Sequence, residues 1–291
     1  MKYCRFEAEN GPRFGRVEEY EGRLWVTGLI ASPWESSEAK SQPVISMAQK
    51  PIDEMTLLPP VAPSKIVCVG RNYRDHAQEL GNEVPAEPLL FFKPPSSLLA
   101  PRGIIRMPQA SERVDFEGEL AVIIGRRARK LRRDQDLQPY IHGYTLANDV
   151  TARDLQKKDG QWARAKGFDT FCPVGPIVET ELDLAAGLTI ETHVNGELRQ
   201  HGSTLDFIFF LPVLLEYITA AMTLEAGDLL LTGTPAGVGP LAAGDIVEVS
   251  IPGLGRLSNP VELEEDSSQA KNGAASKGSD TSTRPFASKQ G

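Results

Sequence analysis

The run from Asp115 to Gly125, DFEGELAVIIG, constrains the fold of this 291-residue chain more than any other segment. Side chains alternate along a strand with period two, which puts Glu117, Glu119, Ala121 and Ile123 on one face and Leu120, Val122 and Ile124 on the other. Both faces are apolar, so the pattern predicts a strand covered on both sides by further layers. Glu117 and Glu119 stand ~7 Å apart along such a strand. An acidic pair at this spacing also fits the solvent face of a half-buried sheet. Buried carboxylates, by contrast, must be paired, protonated or metal-bound.

The rest of the chain supplies partners for that strand but no β-α-β rhythm. KIVCVG (65–70), LLFFKP (89–94), YTLAND (144–149), GDLLLTG and GDIVEVSIPGLG read as strands, and RVEEYEGRLWVTGL reads as a hairpin turning at Glu21-Gly22. LTIETHVNGELRQ alternates across Asn195-Gly196, a strong hairpin signal. LDFIFFLPVLLEYITAAM is apolar at helical spacing, with Pro212 expected to end or kink the helix. Strands outnumber helices and do not alternate with them, which excludes a doubly wound sheet and leaves an α+β, β-rich chain.

Composition shifts suggest three parts. Residues 32–64 are polar and rich in proline, so residues 1–60 read as a small N-terminal β-rich domain and linker, and 61–264 as the main domain. From Asp266 to Gly291 there is no Leu, Ile, Val or Met, and 265–291 reads as a disordered polar tail, because nothing there offsets the entropy of ordering. The acidic balance, 39 Asp and Glu against 31 Lys and Arg for a net charge of −8, argues against nucleic-acid and membrane-surface partners and for a small molecule. Three scattered cysteines make neither a disulfide framework nor a zinc knuckle. The N-terminus lacks the apolar core of a signal peptide, so the cytoplasm is the expected compartment.

Asp149, at the end of YTLAND, offers a third carboxylate, although Asp there also suits a helix cap. Three carboxylates without Cys or His nearby suit a hard ion, Mg²⁺ or Mn²⁺. His76 and Glu79 lie three residues apart on a short helix stopped by Gly81, so the carboxylate can orient the imidazole as a general base. The same spacing also occurs in solvated surface pairs. The LTGTPAGVG loop offers backbone N–H groups and the Thr234 hydroxyl to a carboxylate, and lacks the Gly-Lys-Ser/Thr of a phosphate loop.

In this order, GRNYRDHAQELG, LLFFKP, DFEGELAVIIG, ANDVTARDLQ, QWARAKGFDTFCPVGP and LTGTPAGVG resemble the fumarylacetoacetate hydrolase family over residues 60 to 262. The resemblance implies a mixed β-sandwich roll built as a homodimer, with Mg²⁺ or Mn²⁺ on Glu117, Glu119 and Asp149. It implies a catalytic pair, His76 and Glu79, on a lid that orders over substrate, and an active-site lysine, Lys166. It places Arg71, Gln156, Gly233 and Thr234 where the substrate's carboxylate and oxo groups are held. The first sixty residues resemble the small appended domain of the family's bacterial branch.

The expected activity is Mg-dependent hydrolase or lyase cleavage of a C–C bond in a small anionic 2-oxo or 2,4-dioxo acid. It would be of the acylpyruvate hydrolase or oxaloacetate decarboxylase type, passing through an enolate stabilised by the cation. Two alternatives stand beside it. One is a 2-hydroxyhepta-2,4-diene-1,7-dioate or 5-carboxymethyl-2-hydroxymuconate isomerase of aromatic degradation, and the other is a non-catalytic protein that binds metal and ligand.

Overall fold

The structure, a computed structural model, describes residues 1–33 and 45–265. Its centre is the strand Gly118–Ile124, in which every residue is buried. Leu120, Val122 and Ile124 join a core with Val67, Leu214, Leu215, Ile218, Val249 and Leu257. Ala121 and Ile123 join a second core with Ile66, Cys68, Val174 and Leu229. The alternation in the sequence thus serves two cores at once. Each fully buried aliphatic side chain contributes about 1.5–3 kcal/mol, and a one-residue slip would drive Glu119 into the first core, so the register is strongly fixed.

Gly118–Ile124 pairs antiparallel with Ile141–Asn148 on one side and with Leu229–Leu231 on the other. Leu229–Leu231 runs parallel to Ile66–Gly70, whose far side carries the edge strand Leu89–Lys93. Ile141–Asn148 leads to Cys172–Glu179, then to Lys2–Phe6 and the N-terminal hairpin, completing a sheet of 12 strands among the described residues. A five-stranded sheet, containing the hairpin Thr189–Val194 and Glu197–Ser203 with Ile246–Ile251 and Gly255–Leu263, closes the first core as the second layer of a sandwich. The fold is β-rich with mixed pairing, and no helix among the described residues is long and apolar enough to cross a membrane.

The two layers come close together at Gly118. A Cβ there would lie 2.2 Å from Thr192 Oγ1, and the Gly118 N–H donates to Gln200 Oε1 at 2.9 Å. Absence of a side chain lets the second sheet pin the backbone exactly one residue after Glu117 and one before Glu119, which fixes where both carboxylates emerge.

Both predicted turns form as read. Glu21 and Gly22 adopt φ of 51° and 76°, Asn195 and Gly196 adopt 53° and 81°, the left-handed pairs that two-residue hairpins require. Two readings need correction. The stretch 32–64 is more than linker: Ile45–Pro51 pairs with Arg23–Ile30, and Leu57–Leu58 with Lys2–Phe6. Ile45–Pro51 is mostly exposed on both faces, so it carries no alternation to read. Pro212 neither ends nor kinks a helix; it sits in the first turn of Leu211–Ala221, where its missing N–H goes unneeded. The tail reading falls on residues 266–291, outside the described residues.

We propose that the chain divides near residue 60. Cys4, Phe6, Val17, Val26, Ile52 and Leu57 form their own apolar cluster, joined to the main sheet through Ile177 and the pairing of Lys2–Phe6 with Cys172–Glu179. At this seam His142 Nε2 meets the Tyr3 hydroxyl at 3.0 Å, and burial lowers the His142 pKa to about 4. The unfolded chain therefore binds a proton near pH 6.5 that the folded chain refuses until about pH 4, so this site loses stability as pH falls through that window. Of the stability lost between pH 7.5 and 5, about 2 kcal/mol is expected to vanish in His142→Gln. Thermal unfolding of both proteins at the two pH values measures it; equal pH dependence would contradict it.

Candidate active site

Glu117 occupies the junction between the strands Val114–Phe116 and Gly118–Ile124, where its carbonyl accepts the Asp149 N–H at 2.8 Å. That bond draws the end of Ile141–Asn148 alongside and brings Asp149 to the acidic pair. Carboxylate oxygens of Glu117, Glu119 and Asp149 all lie within 4.8 Å of one another, and all three residues are buried. Asp149 does not cap a helix: the next helix, Arg153–Asp159, starts four residues later without a side-chain cap.

Cations surround the triad. Lys166, from the short helix Ala163–Gly167, is 1% exposed, and its Nζ donates to Glu117 at 2.8 Å and Asp149 at 2.6 Å. Lys93 donates to the other Asp149 oxygen at 2.7 Å and to the Val150 carbonyl at 3.1 Å. Arg153 donates through one edge to Glu117, through NH1 to Gln156 Oε1 at 2.6 Å and through Nε to Asp115 at 2.9 Å. Asp115 is itself held by Arg113 at 2.8 Å.

These contacts split the acidic pair electrostatically. Burial alone would push Glu117 up, but the charges of Lys166 and Arg153 hold it well below the usual carboxylate range. Glu119 accepts the Gly233 N–H at 2.7 Å; burial, with Asp149 and Glu117 close by, pushes its carboxyl well above that range. Lys166 is held above its ordinary value, because Asp149 and Glu117 outweigh the penalty of burial.

An all-oxygen, buried donor set fits Mg²⁺ or Mn²⁺. Glu119 is the informative member. Among the described residues its one hydrogen bond is from a neutral backbone donor, so a divalent cation is what would favour its charged form beside two other carboxylates.

His76 lies on the helix Arg74–Glu79 and is 4% exposed. Its Nδ1 lies 3.5 Å from Glu79 Oε2, outside hydrogen-bond geometry, and is otherwise unpartnered. Such bonds often tighten only when substrate binds. Glu79 is steadied from the other side by the Gly237 N–H, 3.1 Å from both oxygens. The predicted loop therefore holds the predicted helix. Burial lowers the His76 pKa, with Arg153 and Lys166 adding to the effect and Glu117 opposing it, so the ring is neutral at pH 7.

A cavity of about 190 Å³ joins these groups, lined by His76, Glu117, Glu119, Lys166, Arg71, Gln156 and Thr234 among others. Arg71 takes a left-handed φ of 56° at the end of Ile66–Gly70, and its guanidinium lies 6.0 Å from the Trp162 ring. Gly233, at φ 98°, leaves no room for a side chain: a Cβ would stand 2.8 Å from that of Asn72. The Thr234 hydroxyl is already engaged, donating to the Gly118 carbonyl at 2.8 Å and accepting from Gln200 at 2.7 Å, so its proton is not directed at a ligand. Lys93, Arg153 and Asp115 are not singled out by the sequence; Lys93 falls inside LLFFKP, read only as a strand and a family motif, and Arg153 inside ANDVTARDLQ, weighed for Asp149 and Gln156.

Comparison with known proteins accords with this geometry. Residues 65–262 match the fumarylacetoacetate (FAA) hydrolase C-terminal family, and residues 1–60 match the Rv2993c-like N-terminal family. The chain belongs to the fumarylacetoacetate hydrolase family and is an enzyme. It is 43% identical over 259 residues to protein Rv2993c of Mycobacterium tuberculosis, covering 86% of this chain and 97% of that one. It is 42% identical over 224 residues to the oxaloacetate tautomerase YisK of Bacillus subtilis, covering 72% and 74%. It is 46% identical over 199 residues to the mitochondrial oxaloacetate decarboxylase of Dictyostelium discoideum, covering 65% and 89%. Among solved structures, 2-hydroxyhepta-2,4-diene-1,7-dioate isomerase from Mycobacterium marinum matches with a TM-score of 0.80 at 41% identity, over 91% of this chain and all of that one.

Proposed function

We propose that this enzyme cleaves a C–C bond in a small 2-oxo or 2,4-dioxo acid with the help of Mg²⁺ or Mn²⁺. The observation that carries the reading is the meeting, in one cavity of about 190 Å³, of a buried histidine with the buried carboxylates Glu117 and Glu119 and the cation Lys166. Glu117, Glu119 and Asp149 would hold the ion. When bound, it supplies Lewis-acid polarisation to the oxygens of a 2-oxo acid.

The chain's own groups supply the rest. Lys166 and Arg71 bring positive charge to an anionic substrate. With Nδ1 facing Glu79, the unprotonated Nε2 of His76 is left to take a proton from water in hydrolysis and, in decarboxylation, to pass a proton taken from water on to carbon. The cavity that these groups line, about 190 Å³, suits a small substrate.

A second reading, isomerisation, uses the same His76 to move a proton within the substrate, and the tautomerase and isomerase among the relatives support it. Turnover of acetylpyruvate, oxaloacetate and 5-carboxymethyl-2-hydroxymuconate, measured side by side with Mg²⁺, separates the two. Pyruvate released from acetylpyruvate or oxaloacetate is the expected result. Activity confined to interconversion without pyruvate would replace cleavage by isomerisation.

A further inference from the structure

Past Arg153 the active-site cavity is continuous in its lining with a second chamber of about 280 Å³: Leu80, Arg153 and Lys157 border both. Lys157 lies on the helix Arg153–Asp159, one residue beyond Gln156, and is exposed. Among the described residues it has neither an ion pair nor a hydrogen bond. The carboxylates of its own helix are committed elsewhere, Asp154 to Ser111 and the Glu112 N–H, and Asp159 to Arg164. Arg113 and Arg153, its cationic neighbours in the second chamber, are both bound to Asp115. Lys157 is therefore an uncommitted cation at the border of the two chambers.

Charge around the cavity points to what Lys157 meets. The acidic groups Glu117, Glu119 and Asp149 are matched by Lys93, Lys166 and Arg153, and Asp115 by Arg113. A divalent ion then leaves two positive charges at the inner end, to which Arg71 and Lys157 add two more and Glu79 subtracts one. A monoanionic 2-oxo acid neutralises only part of this; a dianion with a second carboxylate some bonds from the first neutralises more, and Lys157 lines the same cavity as Glu117 and Glu119.

We propose that Lys157 is a specificity-determining residue that binds the distal carboxylate of a 2-oxo dicarboxylic acid; this rests on the 2-oxo acid reading of the inner site. Two non-reacting probes test it by calorimetry on the full chain with Mg²⁺. N-oxalylglycine carries both an oxalyl head and a distal carboxylate, and N-ethyloxamate carries the same head with a methyl group in place of that carboxylate. The intact protein is expected to bind N-oxalylglycine about tenfold more tightly, the size of one charge-assisted hydrogen bond. Lys157→Met, which keeps the aliphatic stem of an exposed residue, is expected to bind both probes equally, and Lys157→Arg to restore the preference. Equal binding by the intact protein, or a preference that survives in Lys157→Met, overturns the assignment of Lys157 alone. Failure of both probes to bind the intact protein overturns the 2-oxo acid reading and this inference with it.

Discussion

Replacing His76 by Ala is expected to lower turnover of a 2-oxo acid by about 10²–10⁴-fold, the usual contribution of a positioned general base. Affinity for Mn²⁺ or Mg²⁺ is expected to stay within about twofold, because His76 is not one of the three oxygen donors. The expectation follows from the His76 environment. Burial and the nearby cations Arg153 and Lys166 keep the imidazole uncharged, and Glu79, anchored by the Gly237 N–H, stands where it can orient the ring. Steady-state turnover and ion binding on the same variant check both halves. Unchanged turnover would remove His76 from the chemistry, and a large fall in ion affinity would make it part of the ion site.

The second large effect separates the two glutamates. Glu117→Ala and Glu119→Ala are each expected to weaken divalent-ion binding by at least about 100-fold, since three carboxylates carry the site. Their effects on stability of the ion-free protein are expected to differ. Glu117 is the partner of both Arg153 and Lys166, and removing one side of a buried ion pair costs about 3–5 kcal/mol. Among the described residues Glu119 has only the Gly233 N–H to lose, and burial already works against its charge, so its removal is expected to cost much less. Denaturant unfolding of both variants in EDTA measures the contrast. Equal destabilisation would mean that Arg153 and Lys166 do not depend on Glu117 as the geometry shows.

Local signals in the chain were the readable ones. The Asn195-Gly196 and Glu21-Gly22 turns and the spacing of His76 and Glu79 speak through neighbouring residues and are found where they were read, while the period-two run holds over Gly118–Ile124 but breaks at Glu117, before which Val114–Phe116 belongs to another sheet. Long-range ion pairs are silent in the same way. Lys93 and Asp149 are 56 residues apart and Arg153 and Asp115 are 38 apart, and a lysine or arginine reads by default as a solvated residue. Lys166 shows the problem most clearly: its own segment suits a solvent-facing lysine, and only the resemblance to known family motifs placed it in the site, where it lies buried between Glu117 and Asp149. The edge strand Ile45–Pro51 was missed because a strand exposed on both faces has no apolar alternation. The position of Pro212 was misread because helical apolar spacing ran on through Leu205–Phe210, although a short 3₁₀ turn, Thr204–Asp206, and a bridge from Phe207 to Tyr73 interrupt it before the helix begins.

The account stands or falls on the buried carboxylates and the cation they would hold. Its most direct test is the rate of pyruvate release from oxaloacetate and acetylpyruvate by protein dialysed against EDTA, before and after Mg²⁺ is returned, each corrected for the rate without protein. Loss of nearly all enzymatic rate in EDTA and its recovery with Mg²⁺ is the predicted result. Full activity that persists in EDTA would contradict the assignment of Glu117, Glu119 and Asp149 as the ligands of a catalytic ion.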